Sequence, residues 1–449
     1  MKRKINGVVQ RTLETTPSWE IGVNRVSTAG DGKGPRGPAS GGPPRVLLVG
    51  YNGANNTGSE SRLLSIIEDV RAVLGPDAII TIPTLNPVNL CRYIEETPTL
   101  KVAPIPSIYF SALKRLVRQN DVMLLVEGSC YMDTWTSALL WAFLWSTKQA
   151  ANYGRPSMAY AVDSGNLTPS NLKRVRRDAS RTDLIVTRTQ AAADRLDAYG
   201  VSAPMEVTAD TSFTFEMDPA DEGIMERLWP EAASGTVTGI APVDFHMWPV
   251  VIRPWGRKAD QYKWPYYFSR SRERTEATQR LAQGFARQAT SLIEDHDMYV
   301  ALVCMEELDE PLARQVQAMV PRTDRVRVFS SCELNASEMQ GLLKGMEILI
   351  TSRYHSAVLS SPASVPVVAI GHDPRVEDLM RDMNIYKTNF ISHAADDVFE
   401  RLEEKVDRVL ADPAPERDAV RKAHAEHVER ARRNRLLLRS FLEERGWSV

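Results

Sequence analysis

The chain reads as an α/β protein of two Rossmann-like domains facing a cleft, and three observations predict it. Strand-length apolar runs alternate with helical stretches from Arg45 to about residue 395. The alternation breaks once, at an acidic, proline-containing stretch over 217–234, and then resumes. A length of 449 residues is more than one such domain needs. Alternation of this kind predicts mainly parallel sheets with helices on both faces.

Residues 1–44 come first, and 29–44 are dominated by glycine and proline, which predicts a flexible extension without a packed core. Arg45 opens the first domain, 45–216. Residues 46–49 are its first strand, and Leu63, Ile66, Ile67 and Val70 mark the helix behind it. Strands at 79–82 and 121–126 follow, with a helix over 109–117 between them. A long helix over 135–153 carries the apolar run 138–145, about half the length that spans a bilayer. That run predicts a core helix, with a peripheral membrane contact as the lesser alternative. Strands at 158–162, 184–186 and 205–207 and a helix over 191–199 complete the domain.

The stretch 217–234 reads as a linker to a second domain, 235–395. Its strands fall at 237–243, 299–303, 326–329, 346–350 and 365–370, and its helices at 274–295 and 311–319. Asn335 with Glu338 has the spacing of a helix-start capping box. Residues 396–449 are charged and helical in period and form a helical tail suited to pack across the other domain.

Composition narrows the function. A net charge of −2 argues against a general nucleic-acid binder, though not against a local basic pocket. Cys91, Cys130, Cys304 and Cys332 are widely spaced with no CxxC pair, which points away from a disulfide framework or a zinc site and toward a reducing, cytoplasmic setting. Lys2, Arg3 and Lys4 are not followed by the apolar stretch of a secretory signal. No run is long enough for a transmembrane segment. Glu306, Glu307, Asp309 and Glu310 read as a solvated helix start, and no metal is expected. The first turn lacks G-x-G-x-x-G, so a dinucleotide site is not indicated.

The most informative stretch is Ile350-Thr351-Ser352-Arg353-Tyr354-His355-Ser356. It places an arginine and a histidine two residues apart at the carboxyl end of a strand, where open α/β sheets bind ligands. A permanent cation beside a group that titrates near neutrality suits an anionic substrate that must exchange a proton. The competing reading is a surface turn with two incidental polar residues.

The first turn, Gly50-Tyr51-Asn52-Gly53-Ala54-Asn55-Asn56-Thr57-Gly58-Ser59-Glu60, resembles the opening G-Y-x-G-x-x-N-x-G-D-E of the polysaccharide pyruvyl transferase family, with Ser59 in place of the aspartate. Ser352-Arg353-Tyr354-His355 is similar to the family's R-x-H motif, and His372-Asp373-Pro374-Arg375 to its Y-D-x-K element with His for Tyr and Arg for Lys. Thr187-Arg188 resembles its V-R-D site with Thr189 replacing the acid, and Ala209-Asp210 its D-P element without the proline. Glu127-Gly128-Ser129 stands where the family commonly has G-G-G.

The resemblance implies a GT-B-like enzyme of exopolysaccharide or cell-wall glycan biosynthesis. It would move a pyruvyl group from phosphoenolpyruvate to hydroxyls of a sugar or glycoconjugate acceptor, usually closing a cyclic ketal. Phosphoenolpyruvate would be a donor substrate, and no cofactor is expected. His355 would be the acid/base and Arg353 or Arg375 would stabilise the leaving phosphate. Arg353, Arg375 and Arg188 are the candidates to bind the donor's charges. The glycine-rich turn with Asn56, Gly58 and Glu60 would offer backbone N–H groups to an anion, unless it is only a tight connection.

His372 is either a second acid/base group or a packing residue. Arg375 either binds the carboxylate or pairs with Glu377 or Asp378. Glu127 either faces the acceptor or is a helix N-terminal acid. An insertion over 244–272 interleaves His246, Trp248, Trp255, Tyr262, Trp264, Tyr266, Tyr267 and Phe268 with six basic residues. It suits stacking on a sugar of the acceptor, or burial against the other domain. Two further functional readings compete: a GT-B glycosyltransferase with a nucleotide-sugar donor, and a non-catalytic binding member of the same fold.

Overall fold

The computed structural model describes residues 42–247 and 249–449. Most of the 1–44 extension and Trp248 therefore lie outside the described residues. A seven-stranded parallel sheet forms the first half. In chain order its elements are β1 (Arg45–Val49), α1 (Thr57–Leu74), β2 (Ile79–Thr84), β3 (Leu100–Pro104), α2 (Phe110–Gln119), β4 (Val122–Leu125), α3 (Ser137–Asn152), β5 (Ser157–Val162), α4 (Pro169–Ala179), β6 (Leu184–Thr187), α5 (Gln190–Ala198) and β7 (Met205–Val207). The strand order is β3-β2-β1-β4-β5-β6-β7. Central strands such as Arg-Val-Leu-Leu-Val are buried on both faces, which is why they read as continuous apolar runs.

The second half holds β8 (Val237–Ala241), β9 (Val250–Ile252), β10 (Gln261–Lys263), β11 (Tyr266–Phe268), α6 (Arg272–Glu294), β12 (Tyr299–Cys304), α7 (Glu310–Met319), β13 (Val326–Ser330), α8 (Ala336–Lys344), β14 (Ile348–Thr351), α9 (Tyr354–Ser360), β15 (Val367–Gly371), α10 (Pro374–Asp382), β16 (Phe390–Ser392), α11 (Val398–Ala411) and α12 (Ala414–Glu443). Six strands form a parallel sheet ordered β13-β12-β8-β14-β15-β16. Asn335 caps α8 in the capping box its spacing predicts, with Glu338 returning a bond to the cap backbone.

In both parallel sheets the order in which strands are added reverses once. The first does so between β1 and β4, the second between β8 and β14, and ligands of open α/β sheets bind outside the carboxyl ends at such points. The loops after β1, β4, β12 and β14 accordingly meet between the halves. Thr57 N donates to Met305 O at 2.9 Å, and Glu307 N to Asn55 O at 3.1 Å.

Two further elements tie the halves together. In α12, Val420, Ala423 and Ala431 pack in the second domain's core. Farther along, Leu438, Phe441 and Leu442 pack with Val46, Leu48 and Ile66 of the first. The insertion folds as a three-stranded antiparallel sheet, β10-β11-β9. Its Val250, Ile252, Tyr266 and Phe268 share a core with Tyr109, Trp141 and Phe143 of the first domain. Tyr266 and Phe268 are thus buried against the other domain, as one of the two readings has it, while Trp255 and Trp264 are exposed. Most of the apolar run on α3 lies in that same core.

Candidate active site

A pocket of about 60 Å³ opens where the two carboxyl ends meet. The first domain contributes Asn56, Gly58, Ser59 and Glu127, and the second contributes Arg353, His355, His372, Asp373 and Arg375. Seven residues singled out from sequence therefore converge from both halves: Asn56, Gly58, Glu127, Arg353, His355, His372 and Arg375.

His355 sits in the first turn of α9. Its Nε2 points inward, 3.6 Å from Asp210 Oδ2, longer than a hydrogen bond. Its Nδ1 lies beside Gly58, where any Cβ would collide with the ring. Glycine at 58 is therefore a steric requirement of this histidine. Burial lowers the His355 pKa from 6.5, against the opposing pull of Asp210, which favours the neutral imidazole. Asp210 is held well below the usual carboxylate range. Burial alone would raise it, but Arg62 and His355 outweigh that.

Behind the pocket runs a chain of buried ion pairs. Arg62 Nη1 meets Asp210 Oδ2 at 2.5 Å, and Arg188 reaches the same oxygen at 2.7 Å and Asp163 at 2.8 Å. Arg195 continues the chain from Asp163 to Asp378 of the second domain, at 3.3 and 2.6 Å. Arg188 is expected from sequence to bind substrate, yet it is fully buried and held by two carboxylates. Its guanidinium stacks 3.7 Å from the Tyr354 ring centre. It stands behind the pocket wall and supports the residue beside His355. That corrects its expected role.

Glu60 is also displaced from its expected role. Its Oε1 accepts from Ala336 N at 2.7 Å, at the start of α8, so it joins the two domains away from the pocket. Burial raises it from 4.5 to about 7, only partly offset by the Ala336 N–H. The turn before it is likewise less open to an anion than its glycines suggest. The N–H groups of Gly53, Asn55, Thr57 and Ser59 donate to Tyr93, Asn89, Met305 and Asn56 respectively. Gly53, at φ 71°, uses the left-handed conformation glycine allows, and a Cβ there would press on Asn86 O.

Arg353 is the centre of a second correction. Glu306 and Asp309, read from sequence as solvated, are buried. Arg353 gives Nε to Asp309 at 2.9 Å, Nη2 to the same carboxylate, and Nη1 to Glu306 at 2.9 Å. Burial raises Asp309 to about 6 against the pull of Arg353. The cation on the pocket wall is therefore already paired, and an incoming anion must share or displace these carboxylates.

Arg375 pairs with Asp373 through Nε and Nη2 rather than with Glu377 or Asp378. Asp378 belongs to Arg195. His372 stacks on Phe245 with ring centres 4.8 Å apart, and its Nε2 lies 3.3 Å from Asp373. Burial lowers its pKa, with Asp373 opposing.

Glu127 follows β4 and is not at a helix start. Its Oε2 accepts from Ser59 Oγ at 3.0 Å, and its Oε1 from Ser129 N at 3.3 Å. The two departures from the family pattern, a serine at 59 and a glutamate at 127, thus touch each other. One carboxylate remains at this corner of the pocket, carried by the β4 loop instead of the helix.

Sequence reasoning missed Arg62, Asp163, Glu306 and Asp309. Arg62 had a signal: it lies four residues before Ile66 on the buried stripe of α1, a position that forces a charged group inside. The carboxylates had none, because their partners come from other strands.

A larger cavity of about 420 Å³ lies against the same region, between the ends of β1 and β2, α3 and the insertion. The ionisable groups do not gather there. Tyr51 lines it and contacts Tyr262 Oη at 2.5 Å and Glu306 Oε1 at 3.4 Å, so the Tyr51–Glu306 pair separates it from Arg353.

Two facing α/β domains with a site between their carboxyl ends define a GT-B protein. The fold is shared with S. aureus MnaA, solved as a co-structure with UDP, at 11% identity and TM-score 0.59 over 89% of this chain and 97% of that one. A UDP-GlcNAc 2-epimerase from Neisseria meningitidis bound to UDP-GlcNAc matches at 10% identity and TM-score 0.57, covering 89% and 100%. A glycosyltransferase from Rickettsia africae matches at 12% and 0.52, covering 90% and 98%. No curated protein sequence matches. The sequence pattern of the polysaccharide pyruvyl transferase family matches residues 59–374, and the chain belongs to that family. No helix among the described residues is long and apolar enough to cross a membrane.

Proposed function

We propose that this protein transfers a pyruvyl group from phosphoenolpyruvate to two hydroxyls of a sugar or glycoconjugate, closing a ketal and releasing phosphate. The carrying observation is the convergence of Arg353, Arg375 and His355 from one domain with Gly58 and Glu127 from the other in one small pocket. The reaction balances without a cofactor. One hydroxyl proton ends on the donor's methylene carbon, which becomes a methyl group, and the other leaves with phosphate. Both acceptor oxygens bond to the donor's central carbon as its bond to the phosphate oxygen breaks.

His355 is the group for the proton transfers, with Nδ1 as the working atom and Asp210 orienting the ring from behind. Arg375 and Arg353 face the donor's anionic groups. Asp309, raised to about 6, is the carboxyl that most readily takes a proton when an anion competes for Arg353. Glu127 faces the acceptor's hydroxyls. The setting is cytoplasmic synthesis of an exopolysaccharide or cell-wall glycan.

The test is incubation with phosphoenolpyruvate and a panel of sugar acceptors, following phosphate release and the mass gain of a pyruvate ketal. Release that needs both donor and acceptor, and that His355→Ala abolishes, supports the reading. Transfer from a nucleotide sugar, with none from phosphoenolpyruvate, replaces it with glycosyl transfer.

A further inference from the structure

The helix that brings Arg375 to the pocket is held in place by the other domain. On α10, Arg375, Asp378 and Asp382 follow one another at spacings of three and four and share one side of the helix. Val376, Leu379 and Met380, on its apolar side, pack in the second domain's core. Among the described residues, the Arg375 side chain bonds only to Asp373, in its own turn. One turn farther along, Asp378 Oδ2 accepts from Arg195 Nη2 of α5, in the first domain, at 2.6 Å. At the far end, Asp382 meets Arg430 of α12 at 3.2 Å, and Arg430 donates to Thr208 O of the first domain at 2.8 Å.

Arg195 does more than pair with one carboxylate. Its Nη2 also donates to Ser164 O at 3.0 Å and its Nε to Ser164 Oγ at 3.2 Å, with Asp163 Oδ1 3.3 Å away. One guanidinium therefore fastens α10 to the loop after β5. From that loop the buried chain of Asp163, Arg188 and Asp210 leads to the back of His355. Arg375 and His355 stand on different helices of the second domain, yet this path between them runs through the first. The Arg195 side chain is 22% exposed, whereas Arg62 and Arg188 are buried. A part-exposed pair of this kind adds less to stability than the buried pairs behind it.

We infer that Arg195 is a positioning residue for the small pocket: through Asp378 it fixes α10 against the first domain, and so sets where Arg375 stands relative to His355. It touches no reacting atom. In an organised site a misplacement of about 1 Å costs on the order of 10²-fold, so a shift of α10 smaller than that is felt at the anion. Calling the anion phosphoenolpyruvate rests on the pyruvyl-transfer reading; the placement of α10 does not.

The experiment uses the full chain without acceptor. Phosphoenolpyruvate is titrated calorimetrically into wild type, Arg195→Ala, Arg195→Lys, Asp378→Ala and the double variant Arg195→Ala with Asp378→Ala. Backbone hydrogen exchange of each is followed without ligand. Arg195→Ala and Asp378→Ala should each weaken binding about tenfold. The double variant should bind no more weakly than the worse single one, because both break one contact. Arg195→Lys, which keeps the charge, should recover most of the loss. Exchange should quicken in α10 of both single variants and stay unchanged in α9. If Arg195→Ala fails to fold, Asp378→Ala carries the comparison, since it leaves Arg195 its bonds to Ser164. Unchanged affinity in a folded single variant, losses that add, or exchange that quickens equally in α9 overturns the inference. If wild type binds no phosphoenolpyruvate, the pyruvyl reading falls and exchange alone decides. Quickening confined to α10 then leaves the role of Arg195 standing, and unaltered α10 exchange overturns it.

Discussion

The two cavities meet at Tyr51 and Glu306, and they are built from opposite chemistry. In the small pocket, Arg353 and Arg375 already hold carboxylates, and His355 faces one. In the large cavity, aliphatic and aromatic side chains dominate and no comparable ion-pair network intervenes. Ligand binding in the first must compete with existing ion pairs, so it should respond to pH and salt. Binding in the second should follow buried apolar area and ignore both. The lesson is that two hollows of opposite chemistry lie side by side in one cleft, with the Tyr51–Glu306 contact between them.

The largest effect that can break this division is on the charged side. Asp210→Ala leaves Arg62 and Arg188 buried without their shared partner, and removing one member of a buried pair costs about 3–5 kcal/mol. Denaturant unfolding should show that loss. A change under about 1 kcal/mol would mean that the network does not support the pocket.

His355→Ala should lower turnover about 10²–10⁴-fold while leaving phosphoenolpyruvate binding nearly unchanged. Because burial lowers His355 from 6.5, the wild-type rate should hold at pH 7 and fall only as the pH drops below that ordinary value. An acid limb above pH 7 in the kcat/KM profile would contradict this assignment.

Glu60 tests the junction rather than the pocket. Its carboxyl is raised from 4.5 to about 7, so the folded protein binds that proton more tightly than the unfolded chain. The stabilising contribution is full below pH 4.5 and is lost as pH rises through 7, a span of roughly 3 kcal/mol. Glu60→Gln should flatten that part of the stability profile. An unchanged slope would assign it to Asp309, raised to about 6, with the same sign.

Tyr51→Phe is the smallest change. It removes the hydroxyl contacts to Tyr262 and to Glu306 and should cost about 1 kcal/mol. Its expected signature is a small loss in denaturant unfolding with an unaltered response to phosphoenolpyruvate.

The fold was legible because buried parallel strands write themselves as apolar runs. Ile348–Thr351, Val122–Leu125 and the helix-start Asn335 all stand where their patterns place them. Much of the pocket was legible for a related reason: Asn56, Glu127, Arg353 and Arg375 each follow a strand, and strand ends converge. Pairing was not legible. Arg188 looks like a free cation in sequence, and only the ends of β5 and β7 bring it Asp163 and Asp210. Glu306 and Asp309 look solvated because nothing along the chain marks Arg353 as their partner. The insertion's aromatics divide in the same way. Tyr266 and Phe268 are buried by α3 of the other domain, while Trp255 and Trp264 remain outside.

The central claim is that the small pocket between the domains receives an anionic donor. A thermal-shift titration with phosphoenolpyruvate, run beside UDP on wild type and Arg375→Ala, tests it directly, since a ligand that binds only the native state raises its melting temperature. The predicted result is a saturable rise with phosphoenolpyruvate that Arg375→Ala loses. A rise with UDP alone, or a phosphoenolpyruvate rise undiminished in Arg375→Ala, would contradict it.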